Sequence, residues 1–252
     1  MTRRMRNLAA VHLPANALLL WLGYYWLGVG ETRTLTLLWS AVVALAVLCL
    51  ACWLHGGTLG YFKVPDAKGA PSLPDAFRTA LRNLAAVVAV AIAALVLYFL
   101  LARWEDYSST PALRIASWLT QKIRKPVKPD TVGTVFNVAL WLVRWMIVPV
   151  FLLPLAAGVA ARGWRGAGEW KSRARRRLYW IETPVLLVCA LWAPLKLVGW
   201  IPQLNGFWME MASFALRALA AYALFVASWL ALAALTAGGM AASEAKPAEP
   251  GA

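Results

Sequence analysis

"LTLLWSAVVALAVLCLACWL", residues 35–54, runs for 20 residues without one charged side chain. A helix of that length rises about 30 Å, the thickness of a bilayer's hydrocarbon core. A helix on the surface of a soluble domain would carry a polar stripe opposite its apolar one. Here Thr36 and Ser40 are too few and too small to make one, so the stretch reads as a membrane span.

Five further segments qualify on the same argument: roughly Leu8–Gly28, Leu84–Ala102, Leu142–Ala161, Tyr179–Gly199 and Ala218–Gly238. Composition agrees, with 62% hydrophobic and 14% charged residues, against about 45–50% and about 25% for a soluble domain. The expected fold is therefore all-α: one polytopic bundle of six transmembrane helices over residues 1–240, followed by a disordered cytoplasmic tail at 241–252. The start of the chain also has the basic segment and apolar run of a signal peptide. His12, Pro14 and Asn16 interrupt that run and no A-x-A site follows, so it reads as a retained span.

Two short amphipathic helices are expected at the membrane surface. In "SLPDAFRTALRNL" Ser72 is a candidate N-cap, with Phe77, Leu81 and Leu84 opposite Arg78 and Arg82. In "SSTPALRIASWLTQKIRKP" Ser109 or Thr110 caps, Pro111 opens the helix, and Ile115, Leu119 and Ile123 share one face. Gly and Pro between the second span and Ser72 mark a loop, so "HGGTLG" at 55–60 reads as a turn.

The net charge of +14 would point to nucleic acid in a soluble protein, but here the cations lie in blocks between apolar runs. "RGWRGAGEWKSRARRRLYW", residues 162–180, holds seven basic residues and one acidic residue. Retained cytoplasmic loops carry the excess of Lys and Arg. With the N-terminus inside, inner segments hold 15 basic residues and outer ones 7. This points to an inner (plasma) membrane protein of a bacterium with both termini in the cytoplasm. Arg173, Arg175, Arg176 and Arg177 then form an anchor to anionic lipids of the bilayer, and no nucleic-acid partner is implied.

Arg144, Lys196 and Arg217 fall within or beside spans. Measured from the inner ends of their helices they stand at about 27, 29 and 31 Å, a common level near the outer edge. Trp141, Trp145, Trp200 and Trp208 share it. Long cations and indoles at that level fix span depth. The sharper expectation is that the three converge on a lipid headgroup or small anion, with Glu210 two turns before Arg217 on one face.

Glu182 complements the N-terminus of the fifth span and is placed to pair with Arg176 or Arg177. His12 and His55 read as interfacial or packed histidines. Cys49, Cys52 and Cys189 lie in apolar runs and read as small buried hydrophobes. Prolines 149, 154, 184, 194 and 202 interrupt or flank spans four and five. No catalytic residue, cofactor site or metal site is read from the chain: acidic residues are few, and neither H-E-x-x-H nor G-x-S-x-G occurs.

"SLPDAFRTALRNLAAVV" entering the third span and "LLPLAAGVAARGWRGAGEW" leaving the fourth resemble bacterial six-span membrane domains of unassigned chemistry. Among these is the membrane domain that accompanies some glycerophosphodiester phosphodiesterases. The resemblance is one of layout over residues 1–240. It implies a helical bundle with a cytoplasmic surface helix before its third span, and no catalytic residue. The expected function is that of a non-enzymatic scaffold or subunit with a membrane or cytoplasmic protein partner. The alternative is a transporter or binder of lipid headgroups or small anions.

Overall fold

The computed structural model describes residues 3–30, 32–63, 72–171, 175–203 and 206–244. Helices α1 (Arg3–Leu27) and α2 (Thr34–Lys63) form the first hairpin. α3 (Leu73–Arg82) and α4 (Leu84–Tyr107) follow, then α5 (Ser109–Ile123) and α6 (Pro129–Leu142). A π-helical turn, Val143–Ile147, joins α6 to α7 (Val148–Arg162), and a 3-10 segment, Gly163–Glu169, succeeds it. α8 (Tyr179–Leu187), a second π-helical turn (Val188–Trp192) and α9 (Ala193–Gly199) make the fifth crossing, and α10 (Phe207–Glu244) the sixth. No strand occurs among the described residues. Six helical stretches among them are long and apolar enough to cross a membrane, and the chain is a multi-pass, all-α membrane protein.

Two spans begin well before the positions expected from sequence. The fourth is helical from Pro129, not Leu142, because Pro129 sits at the first helical position and Asp130 in the first turn, where a fixed φ and a carboxylate both favour initiation. The sixth begins at Phe207, not Ala218, directly after Gly206 at φ +111°. α10 also runs to Glu244, into the stretch expected as a tail. The rest of that tail lies outside the described residues.

The expected turn at "HGGTLG" is helical: α2 continues through it to Lys63. Its glycines are contact points. Gly56 faces Ala80, Val87 and Ala160, and Gly57 faces the Phe77 ring. Helices approach closely in a membrane where side chains are small. α3 accordingly turns Ala76 and Ala80 inward; of the expected apolar face, Phe77 and Leu84 pack against the bundle and Leu81 is exposed. α5 likewise buries Ala112 and Ala116 against Val132 of α6, while Ile115 and Ile123 stay exposed.

Burial is unequal along the bundle. Leu8, Tyr61, Ala76, Val226 and Leu230 pack as one cluster, and Cys52, Ala86, Val87, Val90, Val159 and Ala160 as another. Both sit at the end where α1 starts and α2, α7 and α10 finish. At the other end Tyr24, Leu27, Leu35 and Tyr107 are exposed, as suits side chains in contact with lipid or headgroups.

The two π-helical turns have one cause. Each closes with a hydrogen bond spanning five residues, Val148 N–H to the Val143 carbonyl and Ala193 N–H to the Val188 carbonyl. A proline, Pro149 or Pro194, comes next in each case. Proline lacks an N–H and clashes with the carbonyl four residues back; widening the preceding turn relieves that clash without breaking the span.

Candidate functional site

Arg144, Lys196 and Arg217 meet three different environments. Arg144 lies in the first π-helical turn, half-buried, and its carbonyl accepts from the Tyr98 hydroxyl at 2.9 Å. Lys196 is exposed on α9 with Nζ 5.8 Å from the Trp192 ring centroid. Arg217 is engaged by backbone: it donates to the carbonyls of Ser213 at 3.2 Å, Val198 at 3.0 Å and Trp200. Val198 and Trp200 close α9, whose last carbonyls have no partner within the helix. Arg217 thus caps the fifth crossing from the sixth. Glu210 is exposed in the first turn of α10 and makes no ion pair with Arg217.

Arg217→Gln is expected to remove this cap at a cost of about 1–2 kcal/mol. Hydrogen exchange should then accelerate at residues 199–203. Arg217→Lys should recover part of the protection, because an ammonium cannot reproduce the guanidinium fork. Unchanged exchange in the Gln variant would remove the capping role.

The first part of the basic run, residues 162–171, is folded, not extended. Gly163 at φ +60° turns the chain after α7, and the 3-10 segment lies back along that helix with Gly158 and Gly166 in backbone contact. Arg162 pairs with Glu169. Trp170 and Trp180 both stand edge-on to Phe151, at 5.4 and 5.6 Å, while Trp164 stays exposed. Arg175, Arg176 and Arg177 are exposed immediately before α8. Arg173 lies outside the described residues. Glu182, exposed in the first turn of α8, makes no ion pair with Arg176 or Arg177.

The main polar cluster within the bundle lies at the well-packed end. His12 and Thr58 are fully buried, and Asn16 nearly so. Thr58 Oγ1 donates to the Leu54 carbonyl at 2.9 Å. Its lone pair therefore accepts from His12 Nε2–H at 2.6 Å, and His12 Nδ1 accepts from Asn16 Nδ2 at 3.0 Å. One neutral tautomer satisfies the whole chain. His12 is thus a packed histidine joining α1 to α2. Two more bonds tie this end together: Asn83 Nδ2 to the Ala160 carbonyl at 3.0 Å, and Tyr179 to Thr236 at 3.2 Å.

His55 lies beside this chain without joining it. Its ring is 5.6 Å from His12 and 4.7 Å from Trp229, edge-on to the indole. His55 Nδ1 and Trp229 Nε1 are buried without a hydrogen-bond partner. No group of three or more metal-ligating side chains occurs among the described residues, and the three cysteines are free, with Cys52 buried in the core.

The sequence reading picked out His12 and His55 singly. It missed Thr58, Asn16 and Trp229 as their neighbours; Asn16 follows His12 at i, i+4 in the first span and could have been found from that spacing, whereas Thr58 and Trp229 become visible as partners only once residues 55–63 are taken as helix. The chain matches no protein-family model, no curated protein and no solved structure.

Proposed function

We propose that this chain is a non-enzymatic subunit of the bacterial inner membrane, with both termini in the cytoplasm and a protein partner that supplies the chemistry. The use of its buried polar groups carries this reading. His12 and Thr58 bond α1 to α2, with Asn16 supporting His12 from its own helix; Asn83 bonds to the Ala160 carbonyl of α7, and Tyr179 of α8 to Thr236 of α10. Groups that serve a transport path must face a cavity and exchange partners; these hold a bundle together. The competing reading, a binder or transporter of lipid headgroups or small anions at Arg144, Lys196, Glu210 and Arg217, needs cations free for a ligand, and Arg217 is occupied by carbonyls.

The orientation is supported by the exposed Arg175, Arg176 and Arg177 at the end where α7 finishes. On this reading they meet anionic headgroups, each contributing about 1 kcal/mol.

Photo-crosslinking in native membranes tests the reading. A benzophenone side chain at Tyr24, Phe99 or Phe214, all exposed, should give a discrete protein adduct from one of these faces. Lipid adducts alone at every position would overturn the subunit reading. A reporter fused after Ala252 that is active only outside the cytoplasm would overturn the orientation.

A further inference from the structure

Two apolar grooves of similar size flank α2. One, of about 390 Å³, lies between α1, α2 and α3 and includes Leu18, Leu50, Trp53 and Phe77. The other, of about 370 Å³, lies between α2, α4, α7 and α10 and includes Leu48, His55, Val90, Leu95, Leu152 and Trp229. Their polar edges differ. In the first, the Trp53 indole N–H donates to the Phe77 carbonyl at 3.0 Å. In the second, His55 Nδ1 and Trp229 Nε1 have no partner. Burying a polar nitrogen unpaired is costly, and two of them on adjoining rings in one groove call for an explanation.

We propose that the second groove is a binding site for a single-chain lipid alcohol taken from the bilayer, its hydrocarbon along α4 and its hydroxyl shared by His55 and Trp229. The donor pattern selects the headgroup. An indole N–H only donates, so it needs an oxygen; an imidazole nitrogen carrying a lone pair needs a donor. A hydroxyl supplies both through one atom. With the lone pair on His55 Nδ1, an ether or ester oxygen serves Trp229 alone, whereas a hydroxyl suits either tautomer. A carboxylate would bring an uncompensated charge among apolar walls.

The volume lies at the small end of ligand pockets and suits one chain. Leu95, 59% exposed, lies on the outer side of the groove and leaves a way in from the lipid. The two nitrogens are occluded in the present arrangement, so the hydroxyl reaches them with rotations of both the His55 and the Trp229 rings about χ2, torsions with broad profiles. This site goes beyond the scaffold reading and stands whether or not a protein partner exists.

The full chain in lipid nanodiscs, irradiated with a diazirine-bearing hexadecanol and mapped by peptide mass spectrometry, tests the proposal. Adducts are expected on α2, α4 and α7 around the second groove. Unlabelled hexadecanol should compete better than its methyl ether, and the ether better than hexadecane. Trp229→Phe and His55→Phe should each weaken competition by the alcohol about three- to tenfold, the loss of one hydrogen bond, without changing competition by hexadecane. Ala94→Trp, which fills the groove from α4, should abolish labelling there and spare the first groove. Equal competition by alcohol and hydrocarbon, or labelling that survives Ala94→Trp, would overturn the proposal. Should the His55 or Trp229 variant not fold, Ala94→Trp and the competitor series still decide it.

Discussion

Valine at position 158 is expected to destabilise the protein by more than about 3 kcal/mol, beyond the usual range for an overpacked site. A Cβ on Gly158 would overlap the carbonyl of Gly166 and come within 3.3 Å of Glu169 Cβ. The overlapped atom is backbone, held in a 3-10 segment by the Arg162–Glu169 pair, so no rotamer change relieves it. Gly166→Ala should behave alike, because its Cβ would meet the carbonyl of Gly158. Gly168→Ala is the control, with nothing within 4 Å of its added carbon. Thermal unfolding in detergent, followed by size-exclusion chromatography, should show large losses for the first two and wild-type behaviour for the third. Equal midpoints for all three would mean that the fold-back of residues 163–169 contributes nothing to stability.

That fold-back also shows where sequence reading stopped. A basic run beside a span announces its side of the membrane by charge alone, since the excess of cations follows insertion and not packing. The glycines inside the run, at 163, 166 and 168, carried no such signal. They do different work: Gly163 supplies a positive φ, Gly166 a backbone contact, and Gly168 neither. The same limit applies at residues 55–60. In water, paired glycines end helices; between membrane helices they mark the crossing, and α2 runs straight through. The six spans were legible because a bilayer asks for about 20 apolar residues whatever the fold. Their starting points were less so. Pro129 and Gly206 initiate helices that extend well past the apolar minimum, and a hydropathy argument has no term for that.

Arg217 illustrates a second kind of illegibility. Helix rise assigns it a level, but its partners are carbonyls 17 and 19 residues away, at the end of another helix. Backbone acceptors are present at every position and leave no trace in sequence. The shared level of Arg144, Lys196 and Arg217 is therefore compatible with three separate local duties: a π-helical turn, an indole contact and a helix cap.

His12→Ala should cost about 3 kcal/mol, since it opens a cavity in the packed end and strips Asn16 and Thr58 of their common partner. The bond network makes a sharper prediction through its asymmetry. Thr58→Val keeps the side-chain shape yet leaves His12 Nε2–H buried and unpaired, so it should cost about 1–2 kcal/mol. Thr58→Ser keeps the hydroxyl and should cost less. The triple variant His12→Phe, Asn16→Leu, Thr58→Val removes donors and acceptors together, and should be more stable than the sum of its single changes implies, because an apolar trio leaves no orphan. Unfolding midpoints for the full set measure the coupling directly. Additive losses would mean that the three side chains act independently and that their chain adds no coupling to the joint between α1 and α2. A shortfall from additivity would place the joint between the first two spans on the Asn16–His12–Thr58 chain, which leaves His55, one turn of helix earlier on α2, with no structural bond to lose.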